Sequence, residues 1–305
     1  MTLTKTTLEK VIRRLLRGED YRVEIVSLID ELFLQFAIDF FKKVANAKLE
    51  NQKITDDWYK KTFLAEELPK DDIAVNSGLN IKTIHNSHHS SSKNVVITAS
   101  AEHYQTLLDS IEELTSAEDS IDLNLTIKFN NVSVDLNVSE SLIVINAIAV
   151  KRAALRGGLW STAGKSVEKP LMEALCKLYS VPKPSYRSQT RTVRGVSTFS
   201  REVDFYLIRG SEELKCEVKL MGRGNPESAD AAIARDSHIF IADTLSNTNK
   251  RQLNSRGVEW VELRSDPGFR RFKTVLENLE IPHEKLDERN LESNINSALE
   301  AVAGG

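Results

Sequence analysis

The sequence predicts an α/β protein: a mixed sheet flanked by helices, joined to a mainly helical N-terminal region that carries a β-hairpin. Three observations support this. The first half is dominated by apolar residues at helical spacing, broken by one stretch of strict alternation around Asn130-Asn131. Beyond residue 157 the signals run helix, hairpin, helix, strand, helix, strand, the order of a mixed sheet with helices on its faces. The length of 305 residues gives one large or two ordinary domains, and a net charge of −3 with 41% hydrophobic residues is that of a folded chain.

Along the chain, Leu8, Val11, Ile12, Leu15 and Leu16 recur with helical spacing. A second helix is expected over Val23–Ala47, its apolar residues covering so wide an arc that it is buried on several sides, in the core or in a subunit interface. Ser77–Lys93 ("SGLNIKTIHNSHHSSSK") reads as a polar, Ser-rich loop. "IDLNLTIKF" and "VSVDLNV" alternate around the Asn-Asn turn as a hairpin. A helix over "SESLIVINAIAVKRAAL" follows, with Ser139 or Ser141 as its cap. After "RGGLW" the sequence predicts a separate amphipathic helix, "SVEKPLMEALCKLYSV", with Pro170 near its start. A basic loop leads to the hairpin Glu202–Leu220. Then come a helical stretch at 226–235, the strand "SHIFIAD", a helix opened by Ser246 or Asn247, the strand "VEWVEL" and a C-terminal helix. The boundaries expected are 1–157 for the N-terminal region, 158–286 for the sheet domain and 287–305 for the last helix and tail.

Composition excludes several classes. No apolar run is long enough to span a bilayer, and "MTLTKTTLEKVIRRLL" lacks the apolar core of a signal peptide. Cys176 and Cys216 lie far apart in apolar settings, as reduced thiols in a cytoplasmic protein do. "GGLWSTAGKS" misses the phosphate-loop pattern, because Leu159 stands where its first glycine belongs, so no nucleotide cofactor is expected. His85, His88 and His89 have no Cys or acidic neighbour in sequence and read as a surface loop, while His238 and His283 stand alone.

The hairpin holds the chemistry. With a turn centred on Ser211 and Glu212, Phe205 faces Val218 and Leu207 faces Cys216, giving one apolar face. On the other face Asp204 lies opposite Lys219 and Tyr206 opposite Glu217. Opposed Cβ atoms sit about 5 Å apart, so Asp204, Glu217 and Lys219 converge. Two such carboxylates can share a hard divalent cation, and a lysine beside them can position or deprotonate a water. The same charges also suit a strand with one wet face.

Asp204 on one strand, then Glu217-Val218-Lys219 on the next, resembles the D…(D/E)-x-K signature of the PD-(D/E)XK nucleases, with Val203 in place of the usual proline. The resemblance covers residues 160–263, and the chain is most similar to a type II restriction endonuclease. It implies Mg²⁺-dependent hydrolysis of double-stranded DNA. Asp204, Glu217 and the backbone carbonyl of Val218 would be metal ligands, and Lys219 would handle the water. Glu168, or alternatively Glu173, would be the further carboxylate from the preceding helix. A symmetric homodimer is the expected assembly.

The surroundings suit DNA. No acidic residue falls between Ala174 and Arg201, where Arg187, Gln189, Arg191, Arg194 and Arg201 supply phosphate and base-edge donors. Lys165, Arg223 and Asn225 flank the hairpin, and Asn249, Lys250 and Arg251 are weaker candidates. The rival expectations are a structure- or damage-directed nuclease on the same core, a DNA-binding module without turnover, and an interaction protein whose hairpin charges are a solvated face.

Overall fold

The computed structural model of the chain describes residues 3–50, 52, 54–117, 125–129, 132–188, 205–220 and 236–303. It divides into two compact units: Met1–Val26 with Leu159–Gly305, and Ser27–Gly158. The boundaries fall within α2 (Arg22–Leu49) and α7 (Val138–Leu178). No helix among the described residues is long and apolar enough to cross a membrane.

The Ser27–Gly158 unit is mainly helical, as its spacing predicts. With α2 it contains α3 (Asp56–Phe63), α4 (Lys70–Asn76), α5 (Ile81–His88) and α6 (Lys93–Ala117). Its core is aromatic: Phe40 stacks on Phe63 at 4.8 Å, and Tyr59 lies nearly parallel to Tyr104 at 4.6 Å. The expected hairpin forms from β1 (Leu125–Phe129) and β2 (Val132–Leu136), with Phe129 opposite Val132. The expected turn, Asn130-Asn131, lies outside the described residues. Helix α5 replaces part of the expected Ser-rich loop. The Asn80 side chain caps it by accepting the Thr83 N–H at 2.8 Å, and Ile84 is buried.

Helix α7 corrects the expectation of two helices, since it runs unbroken through Gly157, Gly158 and Pro170 for 41 residues. Proline leaves the Ser166 carbonyl without its helical donor. The surrounding Val167, Leu171, Met172, Leu175 and Cys176 are completely buried, and their packing outweighs that local loss. The start of α7 is also capped differently. Asn137 takes the place expected of Ser139 or Ser141, accepting the Glu140 N–H at 2.9 Å while Glu140 accepts the Asn137 N–H at 3.0 Å. The same carboxylate takes Lys48 Nζ at 2.7 Å and the Ile54 N–H at 3.2 Å, which satisfies a nearly buried charge.

The other unit is built on a five-stranded mixed sheet, ordered β3 (Tyr186–Arg187), β4 (Phe205–Arg209), β5 (Glu212–Lys219), β6 (Ile239–Ala242) and β7 (Glu259–Glu262). The first three are antiparallel, while β5–β6 and β6–β7 are parallel. The β4–β5 register differs from the expected one by two residues: Phe205 faces Cys216 and Leu207 faces Leu214. Gly210, at φ +59°, supplies the left-handed conformation that a two-residue turn needs at its first position. Because side chains alternate with period two, this slip keeps every residue on its expected face.

Helix α8 (Asn247–Ser255), capped by Ser246 as expected, brings Leu253 against Phe240, Ala242, Leu245 and Val258. Helices α9 (Arg271–Asn278), which no sequence signal marked, and α10 (Leu291–Ala303) complete the unit with α1 (Lys5–Leu16). Arg17, which caps the end of α1, pairs with Glu292 of α10 at 2.7 Å. The helical stretch expected at 226–235 lies outside the described residues.

Asp243, just past β6, is completely buried. One oxygen accepts the Thr244 N–H at 2.8 Å, while the other has no hydrogen-bond donor among the described residues and lies 3.8 Å from Arg264. Burial pushes its pKa from 3.8 up to about 6, against the pull of Arg264 and Arg22. The folded state therefore holds this proton more tightly than the unfolded chain does. Stability from the group is full below about pH 4 and is lost as pH rises to about 6, a difference of about 3 kcal/mol. Asp243→Asn is expected to raise stability at pH 8 by about 1–3 kcal/mol, with the gain shrinking toward pH 5. Urea unfolding at both pH values checks this, and a variant less stable than the parent at pH 8 contradicts it.

Candidate active site

Strand β5 is the third of five, so a polar side chain on it is enclosed by strands on both sides. Glu217 pairs with Phe240 and Lys219 with Ala242, and the two-residue spacing puts both charges on one face. Leu214, Cys216 and Val218 occupy the opposite face and are buried. The Glu217 side chain is only 1% exposed. A carboxylate so enclosed is costly unless it is paired. Lys219, 22% exposed, donates to Glu217 Oε1 at 2.9 Å.

The second partner of Lys219 comes from α7. Glu168 Oε1 lies 3.7 Å from Lys219 Nζ, with a side chain 12% exposed. Glu173, the alternative, forms no ion pair with Lys219 among the described residues. The structure thus brings together Glu168, Glu217 and Lys219, three of the four residues expected at the site. Asp204 lies outside the described residues. Tyr21 adds a contact that no sequence signal marked: its hydroxyl donates to the Leu220 carbonyl at 3.0 Å, tethering the chain immediately after Lys219.

The residues expected to meet DNA divide into three groups. Lys165 is exposed on α7 three positions before Glu168, so it shares that side of the helix. Arg187 sits on β3, where it forms an ion pair with Glu213 and lies over the Tyr206 ring at 4.7 Å. Its charge thus has a partner within the fold. Gln189, Arg191, Arg194, Arg201, Arg223 and Asn225 lie outside the described residues. On α8, Lys250 is bound to Glu262 at 2.6 Å and Asn249 to Ser246, while Arg251 is exposed.

Two histidines make local hydrogen bonds. His238 Nδ1 accepts the Lys215 N–H at 3.2 Å, and the His283 ring bonds the Ile281 carbonyl at 2.8 Å. His85 and His88 end α5. Cys176 and Cys216 are both buried and not joined in a disulfide, and burial pushes the Cys176 thiol well up.

The donor chemistry around Lys219 is oxygen only, which fits a hard divalent cation and not a soft one. Among the described residues no three His, Cys, Asp or Glu side chains are placed to hold a metal. The described site supplies two carboxylates and one ammonium, an arrangement that can orient a water and counter negative charge on a substrate.

Comparison with known proteins identifies the context of this site. No curated protein and no solved structure matches the chain. The family model described as CfrBI restriction endonuclease matches residues 5–250, about four-fifths of the sequence and the whole span from Glu168 to Lys219. The chain therefore belongs to the CfrBI restriction endonuclease family and is a DNA endonuclease.

Proposed function

We propose that this endonuclease is a type II enzyme of the PD-(D/E)XK kind that cuts double-stranded DNA at a specific sequence with Mg²⁺, using Asp204, Glu217, Lys219 and Glu168. The observation that supports this reading is the Lys219 ammonium held between Glu217 and Glu168 at the end of β5. Chain connectivity supports including Asp204. It directly precedes Phe205 in sequence, and Phe205 faces Cys216, the neighbour of Glu217.

Asp204, Glu217 and the Val218 carbonyl would hold the cation, with Glu168 as the outer carboxylate. When bound, the cation would acidify a water and counter charge on the phosphoryl oxygens. Lys219, fixed by its two carboxylates, would orient the attacking water by a hydrogen bond. The water oxygen bonds to phosphorus and its proton passes to solvent as the ester bond to the leaving sugar oxygen breaks, and that oxygen takes a proton from solvent, giving one phosphate end and one hydroxyl end. Lys165, Arg187, Gln189, Arg191, Arg194, Arg201, Arg223 and Asn225 would guide the DNA. The enzyme would work in the cytoplasm, where buried Cys176 and Cys216 stay reduced.

The assembly we infer is a homodimer, matching the two-fold symmetry of a palindromic site. Leu34 and Ile38, one turn apart on α2 and 58% and 50% exposed, support a contact on that helix.

Incubated with long sequenced DNA, the parent is expected to give discrete bands in Mg²⁺ and none in EDTA. Lys219→Ala and Glu217→Gln should lower the cleavage rate by about 10²-fold or more, and Glu168→Gln by about 10-fold or more. Cutting in EDTA, or an undiminished rate in Lys219→Ala, contradicts the reading, and a smear contradicts sequence specificity. Sedimentation should give about twice the 34.3 kDa chain mass, falling toward one chain in Leu34→Asp/Ile38→Asp. A monomeric parent, free and on DNA, contradicts the dimer.

A further inference from the structure

A tyrosine about two hundred positions from Lys219 holds the chain where β5 ends, and the local sequence explains how it gets there. Helix α1 closes at Gly18, whose φ of +72° suits glycine. The Gly18 N–H donates to the Leu15 carbonyl at 3.1 Å and the Glu19 N–H to the Arg14 carbonyl at 2.8 Å, which satisfies the helix end. Gly18 also stands against the Leu263 carbonyl, just past β7, at 3.5 Å from where a Cβ would be. Asp20 then fixes the junction between α1 and α2. Its carboxylate accepts the Arg22 N–H at 3.0 Å, and it pairs with the Arg22 guanidinium at 2.7 Å and with Arg264 at 3.5 Å.

Between Asp20 and Arg22 the Tyr21 side chain turns inward and is buried. A buried hydroxyl is costly unless it is bonded, and this one donates to the Leu220 carbonyl at 3.0 Å. Leu220 directly follows Lys219, the last residue of β5. Lys219 carries its charge on a flexible four-carbon stem, yet its ammonium meets carboxylates from two different elements, Glu217 at 2.9 Å and Glu168 at 3.7 Å. Where that stem starts is set by the backbone, and a bond to the next residue restrains the backbone at a strand end, where chains open most readily. Tyr21 and Lys219 fall in the same compact unit, Met1–Val26 with Leu159–Gly305.

We infer that Tyr21 is a positioning residue for DNA cleavage, its hydroxyl fixing the Leu220 carbonyl so that the Lys219 ammonium stays aimed at the attacking water. This rests on the role given to Lys219 in the proposed function. Tyr21 does not touch the substrate and acts through Lys219 alone. A displacement of about 1 Å in a group that orients a reactant can cost up to about 10²-fold in rate, so one hydrogen bond to the backbone beside Lys219 has kinetic weight. Residue 21, which the sequence groups with the N-terminal region, in this way serves the sheet unit.

The test is a double-mutant cycle in single-turnover cleavage with Mg²⁺, enzyme in excess over a duplex that carries the cut site. Tyr21→Phe keeps the ring and removes one hydroxyl. It should slow cleavage by about 10-fold, while affinity for the same duplex in EDTA stays within about 2-fold of the parent. In Lys219→Ala, with residual cutting followed to about 10⁴-fold below the parent, adding Tyr21→Phe should change the rate by less than about 2-fold. Tyr59→Phe is the control. It deletes another tyrosine hydroxyl, one that donates to the Asn76 carbonyl at 2.7 Å, and should leave the rate at the parental value. Asp20→Asn keeps the Tyr21 hydroxyl but weakens the clamp beside it, and should slow cleavage by about 3-fold. That effect too should vanish in Lys219→Ala, which keeps the test intact should Tyr21→Phe unfold. An equal slowing in Tyr59→Phe, or a full slowing by Tyr21→Phe that persists in Lys219→Ala, overturns the inference. Lys219→Ala cutting at the parental rate overturns the reading of the site itself, whereas a parental rate in Tyr21→Phe beside an impaired Lys219→Ala overturns the role of Tyr21 alone.

Discussion

The arrangement of the sheet unit turns on one carboxylate. Glu217 sits on the central strand with 1% of its side chain exposed, where an unpaired charge would cost several kcal/mol. Lys219 offsets that cost, and it can do so because the two-residue strand period puts it on the same face. Holding Lys219 in turn involves Glu168 on α7, and Tyr21 tethers the strand as it leaves the site. The antiparallel neighbour on one side of β5 and the parallel neighbour on the other both serve to enclose this group.

Stability does not explain such a cluster. Replacing buried charges with packed apolar residues is commonly neutral or stabilising, so a fold selected for stability alone would have little use for Glu217. Two acids around one lysine leave a net negative charge, and Asp204 would add another. A divalent cation is the natural complement of that surplus, and a phosphodiester is the natural substrate of the cation. The match to a restriction endonuclease family covers residues 5–250, a span that includes Glu168 to Lys219.

What was legible in the sequence was whatever depended on short-range periodicity. The apolar face of Phe205, Leu207, Leu214 and Cys216, and the shared face of Glu217 and Lys219, follow from alternation alone. The expected register differs by two residues because such a slip leaves both faces unchanged. The positive φ of Gly210, which decides it, leaves no mark on the hydrophobic pattern. Glu168 was legible as a carboxylate on the preceding helix, but the continuity of that helix was not. Gly157-Gly158 and Pro170 are breaking signals that the packing of Val167 and Leu171 overrides. The Asn80 cap and buried Ile84 of α5 were hidden among serines. Strand β3 is two residues long, too short to show a period, so the pairing of Arg187 with Glu213 could not be foreseen. The bond from Tyr21 to Leu220 spans 199 positions, and nothing local announces it.

The most direct test of the central claim is to locate the metal. Crystals grown with Mn²⁺ should show an anomalous difference peak about 2.1 Å from a carboxylate oxygen of Glu217, the distance of a small hard cation. Asp204 should be a second ligand, and Lys219 should remain within hydrogen-bond reach of the site. A peak elsewhere on the protein, with Glu217 bound to Lys219 alone while cleavage still requires the metal, would contradict the account.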